Sequence, residues 1–155
     1  MISRKDKLFH RKIAVQCFNG TWDYLVKKRR TVSDELQMLD LAHTSHYHWN
    51  LIGNARNRAI GDWQLSRVYS ILNEPGLALK YAKSCFSICK KYKLKHLIPS
   101  SYEIMARAYA VSGNHKMAKV FIRKARRLLE ESDVDEEGRK LYLGQISETE
   151  KLIRK

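Results

Sequence analysis

The 155-residue chain has only two prolines, seven glycines and three cysteines, and fewer acidic residues than basic ones, 16 against 30. So little Pro and Gly leaves little material for linkers, and with 44% hydrophobic and 30% charged residues the chain has the proportions of a globular protein rather than of a disordered one. Three cysteines cannot all pair. Cys85 and Cys89 stand four apart, Cys17 is remote, and none has a zinc or redox spacing, so all three are expected as small buried side chains in a reducing compartment. No apolar run reaches the length of a signal peptide or of a membrane span, which predicts a cytoplasmic protein with no membrane insertion. At this length a single domain spanning residues 1–155 is expected.

Motifs of common chemistry are missing too. There is no Gly-rich phosphate loop, no GxSxG elbow and no HExxH, and neither Ser nor Cys sits in a nucleophile motif. No cofactor is expected.

What is present is helical periodicity. Pro75 suits a first turn, and Leu77, Ala78, Tyr81, Ala82, Cys85, Ile88, Cys89 and Tyr92 recur at three-and-four spacing, predicting a helix from Pro75 to Tyr92. Pro99-Ser100-Ser101 opens the next, which stops at Gly113, and Asn114 caps another carrying Met117, Ala118, Phe121, Ile122, Ala125, Leu128 and Leu129. Acidic residues around Asp135 start a capping helix over about 135–153. Earlier, Leu8 to Val26 reads as a helix with a candidate break at Asn19-Gly20. Thr31 or Ser33 starts a helix reaching Asn50, and Gly53-Asn54 is the turn before another reaching Asn73. No stretch alternates like a strand. The expected fold is all-α, with about seven helices.

The chain also repeats itself. Leu65, Ser66, Tyr69, Ala78 and Cys85 correspond, forty residues on, to Met105, Ala106, Tyr109, Ala118 and Ala125. Large, small and aromatic residues on one helix, followed by two small ones on the next, resemble the tetratricopeptide repeat, with the clearest units at 58–92 and 99–131. The Asn73-Glu74 turn and the long period depart from that pattern. The segments Ala42-His43-Thr44-Ser45-His46-Tyr47-His48-Trp49 and Asp62-Trp63-Gln64-Leu65-Ser66-Arg67-Val68-Tyr69 extend the resemblance to a prokaryotic family described only as tetratricopeptide-like. It implies antiparallel helix pairs stacked as a short right-handed superhelix, and no activity.

The histidine-rich segment holds the candidate chemistry. His43 and Tyr47 fall on the apolar stripe of their helix, and a hairpin turning at Ile52-Gly53 places His43 opposite Asp62, with Arg58 one turn before Asp62 as its ion-pair partner. Such a group is a structural hydrogen-bond network, a ligand pocket, or an enzyme centre with His43 as base. His43 and His46, with Asp40 or Asp62, are a weak metal pattern. Trp63 and Arg67, four apart, suit a cation–aromatic contact, while Trp22, Trp49 and Trp63 are read as either core or interface.

Two further functions compete. The preferred one is a non-catalytic protein-interaction module whose groove, lined by His43, Tyr47, Arg58, Asp62, Tyr102 and Arg107, binds a peptide or an acidic protein. The alternative is nucleic-acid binding through Lys27, Lys28, Arg29 and Arg30, the run Lys90 to Lys95, and Arg123, Lys124, Arg126 and Arg127. The net charge of +14 sits in residues 1–30 and 74–131, where these runs lie, and charge of this size also serves solubility alone.

Overall fold

In the computed structural model, residues 1–153 are described, and among them there are seven α-helices and no strand. Helix α1 spans Arg4–Leu25, α2 Val32–Ile52, α3 Ala55–Ile71, α4 Pro75–Lys91, α5 Ile98–Val111, α6 His115–Glu130 and α7 Glu136–Ile153. One 3₁₀ turn, Lys95–Leu97, precedes α5.

Local chemistry sets most of the boundaries. The Ser3 hydroxyl accepts from the Asp6 amide at the start of α1. Thr31, and not Ser33, caps α2: its hydroxyl accepts from the Asp34 amide and the Asp34 carboxylate accepts from the Thr31 amide. Asn54 and Asn57 do the same for α3. Helix α1 runs through Asn19-Gly20 without a break. A Cβ at Gly20 would lie 3.4 Å from Leu41 Cδ1, so this face of α1 packs on α2, and packing overrides the glycine's poor helix propensity.

Helices pair in chain order: α1 on α2, α3 on α4 and α5 on α6, with α4 against α5 and α7 against α5 and α6. The forty-residue repeat recurs in the coordinates. Asn73 and Gly113 both take positive φ, 56° and 79°, and each closes its helix with the same pair of backbone bonds: Glu74 N to Tyr69 O and Asn73 N to Ser70 O, then Asn114 N to Tyr109 O and Gly113 N to Ala110 O. Asn73, which departs from the repeat pattern in sequence, therefore does the work of Gly113. Stacked rings repeat as well, Tyr69 on Tyr81 with centroids 5.7 Å apart and Tyr109 on Phe121 at 5.6 Å.

The small residues are where close helix approach requires them. Ala78, Ala82, Ala106, Ala118 and Ala125 are fully buried, and around them Ile104, Met105, Leu129 and Ile146 fill the remaining space. A further cluster of Leu25, Met38, Ala42, Leu65 and Val68 joins α1, α2 and α3. The three cysteines are free, with Cys85 and Cys89 buried and Cys17 half-buried. No described helix is long and apolar enough to cross a membrane.

Candidate functional site

The histidine segment forms a network, but not the expected one. Asp62 is opposite His46, not His43: His46 Nε2 lies 2.7 Å from Asp62 Oδ1, and the Ser84 hydroxyl donates to Oδ2 at 2.5 Å. Helix α2 continues to Ile52 and the turn centres on Gly53-Asn54, which shifts the facing residue by nearly one helical turn. His43 Nε2 instead meets the Tyr69 hydroxyl at 2.7 Å. Arg58 is half-buried and does not pair with Asp62, whose two oxygens are already held by His46 and Ser84. Tyr47 is 61% exposed and points away from the group. Asn50 engages His46 Nδ1 at 3.1 Å, so both nitrogens of that ring are occupied within the protein. Burial, and then the neighbouring His46 charge, hold His43 below the usual histidine range, which keeps it neutral near pH 7. Among the described residues, no three His, Cys, Asp or Glu side chains converge as a metal site. This is a satisfied polar network linking α2, α3 and α4.

The remaining expected groove residues diverge. Tyr102 packs edge-on to Phe86, with centroids 5.0 Å apart, and beside Phe121. Arg107 lies elsewhere, on the face of α5 turned to α7.

The open concavity lies along α3, between α1 and α7. A cavity of about 490 Å³ is bordered by Arg4, Lys7, Arg11, Trp49 and Asn57. The next, about 230 Å³, shares Trp49 and Asn57 and adds Val15, Phe18, Arg56 and Ile60. A third, about 240 Å³, shares Ile60 and is walled by Trp22, Trp63, Leu97, Leu141 and Tyr142, and a fourth, about 800 Å³, shares Trp22, Leu141 and Gln145 and reaches Arg67 and Glu148. Neighbouring cavities share wall residues and follow one another along α1 and α3 as a trough. Its floor on α3 carries Asn57, Ile60, Trp63 and Arg67, and its α1 wall Leu8, Arg11, Val15, Phe18 and Trp22, both at helical spacing. The ten steps along α3 from Asn57 to Arg67 make it roughly 15 Å long. All three tryptophans border it.

At its far end is the densest charge cluster. Arg67 Nη2 and Arg107 Nη2 both donate to Glu148 Oε2, the second at 3.1 Å. Arg107 Nε also donates to Glu103 Oε1 at 3.2 Å, as does the Thr149 hydroxyl at 2.6 Å. The Arg67 guanidinium stacks 5.7 Å from the Trp22 ring and 5.6 Å from that of Trp63, so the expected Trp63–Arg67 contact is present with a second indole added. Yet Arg67 Nε and Nη1, Trp63 Nε1, Glu103 Oε2 and Gln145 Oε1 are buried without a hydrogen-bond partner in the protein. Each costs about 1–3 kcal/mol if left unmet. Burial and the adjacent Arg107 charge pull Arg67 below the usual arginine range against the opposing carboxylates; burial raises Glu148, but the two arginines outweigh it and hold it below the usual carboxylate range.

The sequence marks Arg107 as a groove residue and Arg67, its equivalent forty residues earlier, only as the cation beside Trp63. The repeat itself was the available signal.

The basic runs are used internally in part, while Lys90, Lys91, Lys93 and Lys95 are exposed. Lys27 pairs with Asp34 at 2.7 Å, and Arg30 Nη1 donates to the carbonyls of Tyr24 and Lys27 at 2.9 and 2.7 Å, capping the end of α1. Arg126 forks onto Glu150 and Arg127 pairs with Glu131. Lys124 leans over Tyr102 and Phe121, while Lys28, Arg29 and Arg123 are exposed. In comparisons with known proteins, no family model, no curated protein and no solved structure matches the chain.

Proposed function

We propose that the protein is a non-catalytic, tetratricopeptide-like binding module of the cytoplasm, and that its trough along α1 and α3 receives an amphipathic segment of an acidic protein. The observation that carries this reading is the trough itself: open to solvent, floored by Ile60 and Trp63 between Asn57 and Arg67, with three tryptophans on its border and with Arg4, Lys7, Arg11 and Arg56 at one end. Exposed aromatic and aliphatic side chains in a concave surface are what a peptide anchor needs, and cations at the entrance select acidic partners and speed their arrival. The recurrence of helix ends, ring stacks and small residues every forty positions supports the repeat architecture that this reading assumes. The basic runs outside the trough favour nucleic acid less, since they offer no concave surface and four of their twelve cationic residues, Lys27, Arg30, Arg126 and Arg127, already have intramolecular partners.

The test uses two fluorescein-labelled peptides of 15 residues, each with leucines at helical spacing, one otherwise rich in Glu and the other in Lys. Anisotropy titration should show micromolar binding of the acidic peptide, weakened by salt and by the triple change Arg4→Glu, Lys7→Glu, Arg11→Glu. Equal affinity for the two peptides, or indifference to the triple change, would overturn the reading.

A further inference from the structure

The trough ends in a feature that general peptide docking leaves unexplained. Arg67 and Arg107 occupy equivalent places in the two repeat copies, both are at least nine-tenths buried, and both give Nη2 to one oxygen of Glu148. The other carboxylate of the cluster, Glu103, is 1% exposed and fixed by Arg107 and Thr149, whereas the Glu148 side chain is 54% exposed and borders the open fourth cavity. Two buried cations are thus neutralised by one fixed anion and one that can swing into water.

Donors remain beyond those Glu148 uses. Arg67 Nε and Nη1 and Trp63 Nε1 all lack acceptors, and Trp63 belongs to the largely apolar third cavity, walled also by Trp22 and Leu141. We propose that Arg67 and Arg107 form the anchor site for a carboxylate borne on an apolar group, which lodges against Trp22, Trp63 and Leu141, and that Glu148 is an internal stand-in which the ligand displaces. Exchange follows from charge: the two arginines are already balanced by two carboxylates, and a third would be buried unpaired, so the ligand takes the place of Glu148 instead of joining it. The indoles fit an aryl or branched alkyl body, and the guanidinium beside both rings keeps that contact whichever carboxylate it holds. This deepens the binding reading above by naming what the far end of the trough takes, either a free organic acid or an acidic side chain beside an apolar residue in a partner.

Three probes separate the contributions: 4-phenylbutyrate, its uncharged analogue 4-phenylbutan-1-ol, and acetate. The readout is the NMR shift of the Trp63 indole N–H. Phenylbutyrate should move it saturably, with the alcohol and acetate each about tenfold weaker or worse, and Glu148→Gln should tighten phenylbutyrate about tenfold by weakening the internal competitor. Arg67→Gln should reduce phenylbutyrate to the level of the alcohol. If that variant fails to fold, Glu148→Gln still decides. An alcohol as good as the acid, or no gain in Glu148→Gln, overturns the proposal. The blocked dipeptide acetyl-Phe-Glu-amide, compared with phenylbutyrate, tells the sources apart, tighter binding of the dipeptide assigning the carboxylate to a partner protein and tighter binding of phenylbutyrate to a free acid. Should the acid fail while the Glu-rich peptide binds, this inference falls and the trough reading stands; should the acid bind while the peptide does not, the reverse holds.

Discussion

Replacing Gly61 by Ala tests the register of α2 on α3, on which the assignment of Asp62 to His46 depends. Gly61 lies inside α3, where alanine is favoured over glycine by about 1 kcal/mol, so propensity alone predicts a gain. A Cβ there would meet His46 Cδ2 at 3.0 Å, tighter than ordinary contact, and the ring must yield by a few tenths of an ångström. It has little freedom to do so. Nε2 is 2.7 Å from Asp62, Nδ1 is 3.1 Å from Asn50, and the Tyr81 ring stands edge-on against it at 5.8 Å. Loosening a hydrogen bond to a carboxylate costs about 1.5–3 kcal/mol, which exceeds the propensity gain.

Gly61→Ala should therefore destabilise the protein by about 1–2 kcal/mol. In a His46→Ala background the obstruction is gone, and the same change should stabilise by about 1 kcal/mol. The sign reversal corresponds to a coupling of about 2–3 kcal/mol between residues 15 positions apart. Urea unfolding of the four proteins, followed by far-ultraviolet circular dichroism with a common slope, measures it. If Gly61→Ala stabilises equally in both backgrounds, His46 is not packed on Gly61 and the stated register is wrong.

Other outcomes follow from the same contacts. His43 is held below its usual pKa by burial and then by His46, and His48 by burial and then by His10; a depressed histidine contributes stability above its unfolded value, about 6.5, that is lost as pH falls. The urea midpoint should thus drop between pH 7.5 and 5.0, above the range where Glu148 protonates, and His48→Asn should flatten that drop; a midpoint unchanged or rising on acidification would contradict the assignment. Arg30→Ala deprives the carbonyls of Tyr24 and Lys27 of their donor and should cost about 1–2 kcal/mol, whereas Lys28→Ala, at an exposed neighbour, should stay within about 0.5 kcal/mol by the same unfolding assay. Ala118→Leu, at a fully buried contact of α6, should destabilise by about 1–3 kcal/mol through overpacking and lower the thermal midpoint.

Helix number and most helix ends were legible because their determinants are local: Thr31 with Asp34, Asn54 with Asn57, Pro75, Gly113 and Asn114 act within three or four residues of themselves. Most of what failed depended on a second helix. Gly20 reads as a breaker until Leu41 is seen against it. The partner of Asp62 depends on where a two-residue turn is centred, and a small shift of that centre replaces His43 by His46, nearly one helical turn on. Arg30 reads as a surface charge because the carbonyls it caps carry no sequence signature.

The same logic explains why the charge cluster escaped notice and why it matters. Beyond Trp63, Arg67 draws its environment from Trp22, 45 positions earlier, and from Glu148, 81 positions later, which no wheel drawn on α3 could reveal. Repeat equivalence could. Between the two copies, positions that pack are matched in kind: Leu65 with Met105, Ser66 with Ala106, Tyr69 with Tyr109. Adjacent positions that face the particular surroundings of each copy are not, Asp62 answering to Tyr102 and Trp63 to Glu103. Arginine at 67 and 107 breaks that division, for it is identical in both copies although a buried guanidinium carries a desolvation cost that a hydrophobic side chain of similar volume avoids. Packing alone therefore does not account for the pair. An anionic counterpart does, and of the two carboxylates now beside them only Glu148 has access to water, and so only Glu148 is able to give up its place.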